Sequence, residues 1–333
     1  MDSTTPLVLD DVKALVKQLV AGLETHGAVG SFSPAVYDTA WLARIKRPGP
    51  SGREAQPTCW LFPQCFEYLL RTQEPGGGWP AYASGTDAIL NTLAAVVALR
   101  EHRQVAAESG DENDDARSRD GLEARINRAE ASLDKMLQGW DVDSTVHVGF
   151  EILVPSLLGQ LRDARTGGET KQKFEFPGRA RLMELNGDKL ARFRPEMLYT
   201  DRQTTLVHSL EAFVGTIDYD RVSHHLDARG SMMASPSATA AYLIHCSAWD
   251  AKAERYLADV VAHYEARACG GVPSAFPSLN FEIAWVGSRH TQHPINYSRL
   301  TRLGFDDEIV ITDQLWALIL GRLYTPQGRL DPI

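Results

Sequence analysis

Apolar residues return every three to four positions over long stretches of this chain, and that period restricts its fold more than any other feature. Val8, Leu9, Val12, Leu15, Val16, Leu19, Val20 and Leu23 fall on one stripe. So do Ile89, Leu90, Leu93, Val96 and Val97, then Leu122, Ile126, Ala129, Leu133 and Leu137, and again Leu257, Val260, Val261 and Tyr264. No run that alternates with period two competes with them. The start signals agree: Ser235 before Pro236 reads as an N-cap with proline at the first helical position, and Asp250 can cap the helix that carries Tyr256 and Leu257. Helices of roughly 10 to 16 residues with one broad apolar face build an α-bundle or an αα-barrel, so the expected fold class is all-α.

Composition narrows the function. The chain has 333 residues, 44% of them hydrophobic, which is ample for a buried core. A net charge of −9 and the lack of any basic stretch with interleaved aromatics exclude a nucleic-acid surface. No apolar run approaches the roughly 20 residues needed to span a bilayer, and residues 1–7 lack the pattern of a secretory leader, so a cytoplasmic protein without a membrane span is expected. Cys59, Cys65, Cys246 and Cys269 are scattered, without metal-ligand spacing, and read as buried reduced thiols. His224-His225 and His290-Thr291-Gln292-His293 lack a partner pair for zinc and read as surface or packing histidines.

One segment differs in kind. Residues 101–128 hold Glu108, Asp111, Glu112, Asp114, Asp115 and Asp120 with few large apolar residues before Leu122, and the first part reads as a solvated loop. Asp114 and Asp115 on such a loop offer no rigid geometry for a cation.

Two motifs carry a specific signal. In Ser33-Pro34-Ala35-Val36-Tyr37-Asp38-Thr39-Ala40-Trp41 the residues Tyr37 and Trp41 share a helical face, and Asp38 can accept hydrogen bonds near the helix start. Gln73-Glu74-Pro75-Gly76-Gly77-Gly78-Trp79 follows, and a degenerate copy runs through Leu226, Gly230 and Met232. The first string resembles the S-x-Y-D-T-A-W signature of class II diterpene cyclases, and the second the Q-x-x-x-G-x-W motif of terpene-cyclase αα-barrels. Further strings, among them Gly149-Phe150-Glu151, Thr204-Thr205-Leu206-Val207-His208-Ser209-Leu210-Glu211 and Gly271-Val272-Pro273-Ser274, are similar to fungal members of the copalyl diphosphate and ent-kaurene type in order and spacing over residues 8–286.

The resemblance implies an αα-barrel of the γ-domain kind with a partial β-domain segment: residues 1–60 β-domain-like, 61–286 γ-domain-like, and 287–333 a divergent tail. It also implies membership in diterpenoid biosynthesis, in which geranylgeranyl diphosphate is cyclised with Mg2+ after protonation of an alkene. That step needs a strong, water-shielded acid, which the family takes from D-x-D-D. Here Asp141-Val142-Asp143-Ser144 lacks the last aspartate and Asp306-Asp307-Glu308 has the wrong spacing, and no class I D-D-x-x-D is found. The expectation is therefore a truncated chain that is inactive alone, the alternative being a γ-domain remnant that binds a partner or a prenyl diphosphate without turnover.

Four residues match positions with a role in the family. His208 corresponds to a histidine that ends the cyclisation, a suitable job for a neutral imidazole; a purely structural histidine is the other reading. Ser274 stands where plant relatives place an asparagine that partners that histidine. Glu151 resembles a carboxylate linked with Mg2+, and Lys189 a lysine that contacts diphosphate, although packing roles stay open for both. Trp79, Trp140, Trp249, Phe213 and Phe276 could line a cation-stabilising pocket, with aromatic core as the alternative. An uncovered apolar face predicts self-association.

Overall fold

The computed structural model describes residues 29–30, 32–47, 59–82, 84–109, 119–163, 174–202, 204–267 and 269–278. The helix expected over Val8–Leu23 lies outside them, as do Asp114, Asp115, His290 and His293. The described part is helical: α1 Val36–Leu42, α2 Pro63–Thr72, α3 Gly85–Ser109, α4 Arg119–Gln138, α5 Phe150–Asp163, α6 Arg179–Arg192, α7 Pro236–His245 and α8 Ala251–Glu265. Between α6 and α7 run three 3₁₀ segments, Pro195–Leu198, Thr205–Phe213 and Tyr219–His225. Among the described residues β1 Lys46–Arg47 pairs antiparallel with β2 Cys59–Trp60, and isolated antiparallel bridges join Ala35 to Val272 and Met232 to Leu226 and Ser235.

The described residues between 33 and 202 and between 206 and 274 form one compact unit. The described residues 29–30, 32, 204–205 and 275–278 fall outside this unit; among them the Ser278 backbone N–H donates to the Val29 carbonyl at 2.8 Å.

Helix α3 is the centre of the larger unit. From Leu90 to Arg100 every residue is buried, polar Asn91 and Thr92 included, because alanines at 94, 95 and 98 fill the face that a surface helix would give to water. It packs against α1, α4 and α5; α1 also meets α2 and α7, α5 meets α6, and α7 meets α8. The described residues thus bear out the expected all-α class and show how its helices pair.

The acidic segment starts later than its composition suggested. Residues 101–109 continue α3, where Glu101 pairs with buried Arg44 at 2.9 Å and His102 stacks between Trp60 and Phe66 with ring centroids 3.7 and 3.5 Å away. Tertiary partners hold these polar residues helical where a solvated loop was expected. Of the thiols, Cys65 is buried as expected, whereas Cys246 and Cys269 are partly exposed.

The motif loops explain how the helices are spaced. Gln73 Nε2 donates to the Gly77 and Arg125 carbonyls at 2.8 and 3.1 Å, which ties the end of α2 to α4. Gly77 has φ +93°, and a Cβ there would lie 2.3 Å from the Arg128 carbonyl oxygen, so only glycine lets the loop approach α4. Trp79 is buried, its indole N–H on the Leu69 carbonyl and its backbone N–H on Thr92 Oγ1. The second loop repeats this plan: Gly230 has φ +91°, its Cβ would lie 2.3 Å from the Lys252 carbonyl, and buried Met232 donates its N–H to Thr239 Oγ1 at 2.9 Å. Asp227 braces this loop from within, accepting from the N–H groups of Arg229 and Ser231 and from the Ser231 hydroxyl.

Candidate functional site

The strongest departure from ordinary packing lies where α1, α7 and the segment Thr205–Phe213 come together. Helix α1 has no side-chain cap of its own; Asn91 of α3 accepts from the Tyr37 N–H at 3.2 Å instead. Asp38, expected to work at the helix start, is turned inward and is only 4% exposed, as is Glu211. Two carboxyl groups are therefore buried in one polar cluster. Tyr37 Oη and Ser237 Oγ both donate to Glu211 Oε1 over a long 3.4 Å, Ser237 also lies beside Asp38, and Glu211 Oε2 is buried without a hydrogen-bond partner.

Charge is expensive in such a place. Burial pushes the Asp38 carboxyl up to about 7 against the pull of the Ser237 hydrogen bonds, and pushes Glu211 up to about 8, with the nearby Asp38 adding to the rise. The Tyr37 hydroxyl is likewise driven well above its ordinary value, by burial first and then by Glu211, so it stays a donor. The pair holds protons near neutrality as a unit.

Three residues before Glu211, His208 takes the opposite orientation. In an unbroken 3₁₀ helix residues three apart share a face, but Ser209 has non-helical angles (φ −131°, ψ 40°), and this kink sends Glu211 inward while His208 meets solvent. His208 Nδ1 lies 3.1 Å from the Met233 carbonyl oxygen. Protein crowded around the ring lowers its pKa from the ordinary histidine value by desolvation, partly opposed by the Met233 hydrogen bond. Because solvent still reaches the ring, water screens part of that effect, and its direction, toward neutral imidazole, is what counts.

Met233 and Ala234 form a turn in which both residues have positive φ, 50° and 58°. Neither is a glycine, and such residues cost on the order of 1–3 kcal/mol each unless their surroundings hold them. Here the Ser231 hydroxyl accepts from the Ala234 N–H at 2.9 Å, and the Ser235 N–H donates to the Met232 carbonyl at 3.0 Å. Ser235 also caps α7 as expected, accepting from the Ala238 N–H.

The other expected site residues fall in two places. Lys189 Nζ and Glu151 Oε1 form an ion pair at 2.9 Å, with the lysine side chain 56% and the glutamate 11% exposed. Asn186 Nδ2 donates to the Glu151 carbonyl, fixing α5 against α6. Ser274 is exposed, just beyond Val272, whose N–H donates to Thr39 Oγ1 and whose carbonyl accepts from the Ala35 N–H. No hydrogen bond joins Ser274 to His208. Among the aromatic candidates Trp79 and Phe213 are deeply buried, while Trp140 and Trp249 are half-buried. His224 and His225 spend their Nε2 atoms on the Thr200 and Leu198 carbonyls. Among the described residues no group of three or more His, Cys, Asp or Glu side chains could hold a metal ion, and no helix is long and apolar enough to cross a membrane.

Sequence reasoning passed over Glu211, Ser237 and the Met233–Ala234 turn. A signal existed for the first: Glu211 is the one carboxylate in the mainly apolar run Leu206-Val207-His208-Ser209-Leu210-Glu211-Ala212-Phe213.

Comparison with known proteins gives the cluster its context. No family model matches the chain. It is 44% identical over 297 residues to copalyl diphosphate synthase of Talaromyces verruculosus, covering 89% of this chain and 28% of that protein. It is 48% identical over 277 residues to pimaradiene synthase pbcA of Emericella nidulans, covering 83% and 26%. Ent-kaur-16-ene synthase of Fusarium fujikuroi is 40% identical over 276 residues. The chain thus spans about a quarter of the length of the curated relatives it matches. Among solved structures, ent-copalyl diphosphate synthase from Arabidopsis thaliana, in complex with an aza analogue of geranylgeranyl thiolodiphosphate, superposes with a TM-score of 0.59 at 26% identity over 82% of this chain and 35% of that one. Abietadiene synthase from Abies grandis shares the fold with a TM-score of 0.60, over 84% of this chain and 32% of its own. High identity over most of its length makes this chain a homologue of the fungal copalyl diphosphate, pimaradiene and ent-kaurene synthases, of whose length it spans about a quarter.

Proposed function

We propose that this chain forms the base-bearing wall of a cyclase that acts on geranylgeranyl diphosphate, with residues 61–286 as a γ-domain-like unit. The observation that carries the reading is His208: a solvent-reached imidazole biased to its neutral form and anchored through Nδ1, in a segment matched to diterpene cyclases. A terminal base must be neutral to accept the proton that a carbocation loses. The family's initiating acid, D-x-D-D, is not found within these 333 residues, so the chain alone is read as binding substrate without cyclising it.

Lys189 and Glu151 are read as the diphosphate end. An exposed ammonium can exchange its carboxylate partner for phosphate oxygens. Glu151 is a single carboxylate, which suits Mg2+, an ion bound by one or two carboxylates together with substrate phosphates rather than by a protein cage. When bound there, Mg2+ would neutralise diphosphate charge. Ser274 is kept as a water-holding neighbour of the His208 face. A non-catalytic segment that binds prenyl diphosphate is the alternative that the lone Glu151–Lys189 pair also allows.

Calorimetry on the full chain with a non-reactive geranylgeranyl diphosphate analogue and Mg2+, beside product analysis by mass spectrometry after incubation with geranylgeranyl diphosphate itself, tests this. Saturable binding without a cyclised product is expected. Absence of binding would remove the substrate-wall reading, and copalol after dephosphorylation would show that an acid inside these residues starts the reaction.

A further inference from the structure

We infer that the Met233–Ala234 turn is a positioning device that selects which ring nitrogen of His208 acts as base, leaving Nε2 as the proton acceptor. The inference rests on the reading of His208 as terminal base and adds to it the means by which the tautomer is set.

A backbone carbonyl can only accept a hydrogen bond. The Met233 oxygen, 3.1 Å from His208 Nδ1, therefore requires the proton of the neutral ring to sit on Nδ1. Free neutral imidazole side chains favour the other tautomer, with the proton on Nε2, so the carbonyl works against the ring's own preference. Nε2 is left with its lone pair, and no described residue hydrogen-bonds it. In the terminal step a C–H bond next to the carbocation breaks, its electron pair becomes the new C=C bond, and the proton passes to Nε2, giving imidazolium. The Met233 carbonyl accepts from Nδ1–H before and after, so the ring need not turn.

The turn that aims this carbonyl is costly in itself, with positive φ at two residues that have a Cβ. It is held from three sides. Ser231, fully buried, takes the Ala234 N–H; the Met232 N–H is taken by Thr239 Oγ1 from α7; and Asp227 grips Ser231 through both carboxylate oxygens. An unstrained turn of ordinary residues would point the Met233 carbonyl elsewhere. Strain that persists because buried groups over-determine it is a mark of a positioning role.

The test is the tautomer itself, read by long-range 1H–15N NMR on the full chain labelled with 15N-histidine at neutral pH, the His208 signals being assigned by their loss in His208→Asn. Nδ1–H should dominate in the unsubstituted protein. Ser231→Ala, which frees the Ala234 N–H, and Ala234→Val, whose branched side chain resists positive φ, should each lower the Nδ1–H to Nε2–H ratio by roughly five- to tenfold, the factor that one net hydrogen bond sustains. Ala234→Gly should keep the ratio, since glycine adopts positive φ freely. A turn that merely stabilised the fold would shift melting in these variants and leave the ratio alone. Dominant Nε2–H in the unsubstituted chain, or an unchanged ratio in folded Ser231→Ala, overturns the inference. Because the ratio is read without substrate, a chain that shows it yet binds no prenyl diphosphate refutes the functional reading and upholds the role of the turn.

Discussion

Asp38 and Glu211 set the acid–base character of the protein's interior. Both carboxyls have folded-state values well above their ordinary ones, about 7 and about 8, so the folded state holds protons that the unfolded chain releases. Their contribution to stability is fully present below the unfolded carboxylate range and is lost as pH rises through 7 to 8. The melting temperature of the chain should therefore fall between pH 6 and pH 9. Glu211→Gln, which keeps the shape without the charge, should flatten that slope and gain on the order of 1–3 kcal/mol relative to the unsubstituted protein at pH 9; an equal slope in both would mean that the pair does not retain its protons. The sequence made Asp38 visible as part of a motif but assigned it to the helix start. Which residue caps a helix depends on what packs against it, and Asn91, 54 positions away, does so here. Burial of Glu211 was equally hidden, since the kink at Ser209 that turns it inward follows from tertiary packing and not from its neighbours in the chain.

The two glycine loops carry the spacing of the helices they join. Gly77→Ala and Gly230→Ala would each force a Cβ to within 2.3 Å of a carbonyl on the adjoining helix and strain a positive φ. Each should cost at least about 2 kcal/mol in urea unfolding, whereas Gly76→Ala, which meets nothing within 4 Å, should stay within roughly 0.5 kcal/mol. Equal effects at positions 76 and 77 would rule out close approach as the reason for glycine. Helices α3, α4 and α8 were legible from apolar period, and the caps Ser235 and Asp250 act as read. The central place of α3 was not, because its stripe of Ile89, Leu90, Leu93, Val96 and Val97 is the same whether alanines 94, 95 and 98 face water or another helix. The degenerate loop was legible as a glycine and a spacing; that Asp227 braces it from within became visible only with the backbone folded around it.

As a whole, the larger unit shows water several apolar side chains for which no cover is described. Val146 and Val148, in the loop before α5, are 84% and 93% exposed, and Met183, Met197 and Tyr82 are also open. Light scattering should show association that grows with concentration, and Val146→Ser with Val148→Ser should reduce it while changing stability by no more than about 0.5 kcal/mol. A monodisperse monomer at all concentrations would refute this. The substrate wall has its own test at this scale. Lys189→Ala should weaken binding of the diphosphate analogue by about tenfold or more, the loss of one charge-assisted contact, and an unchanged affinity would remove Lys189 from the diphosphate end.

His208 and the Glu151–Lys189 pair must serve one ligand if this unit is a cyclase wall. The 15N resonances of His208, followed while a non-reactive geranylgeranyl diphosphate analogue and Mg2+ are titrated into the full chain, report on that directly. His208 Nε2 should shift in a saturable manner, at the same analogue concentrations as the calorimetric binding, and the midpoint should move to higher concentration in Lys189→Ala. Binding that saturates while His208 Nε2 stays unmoved would contradict its place at the reacting end.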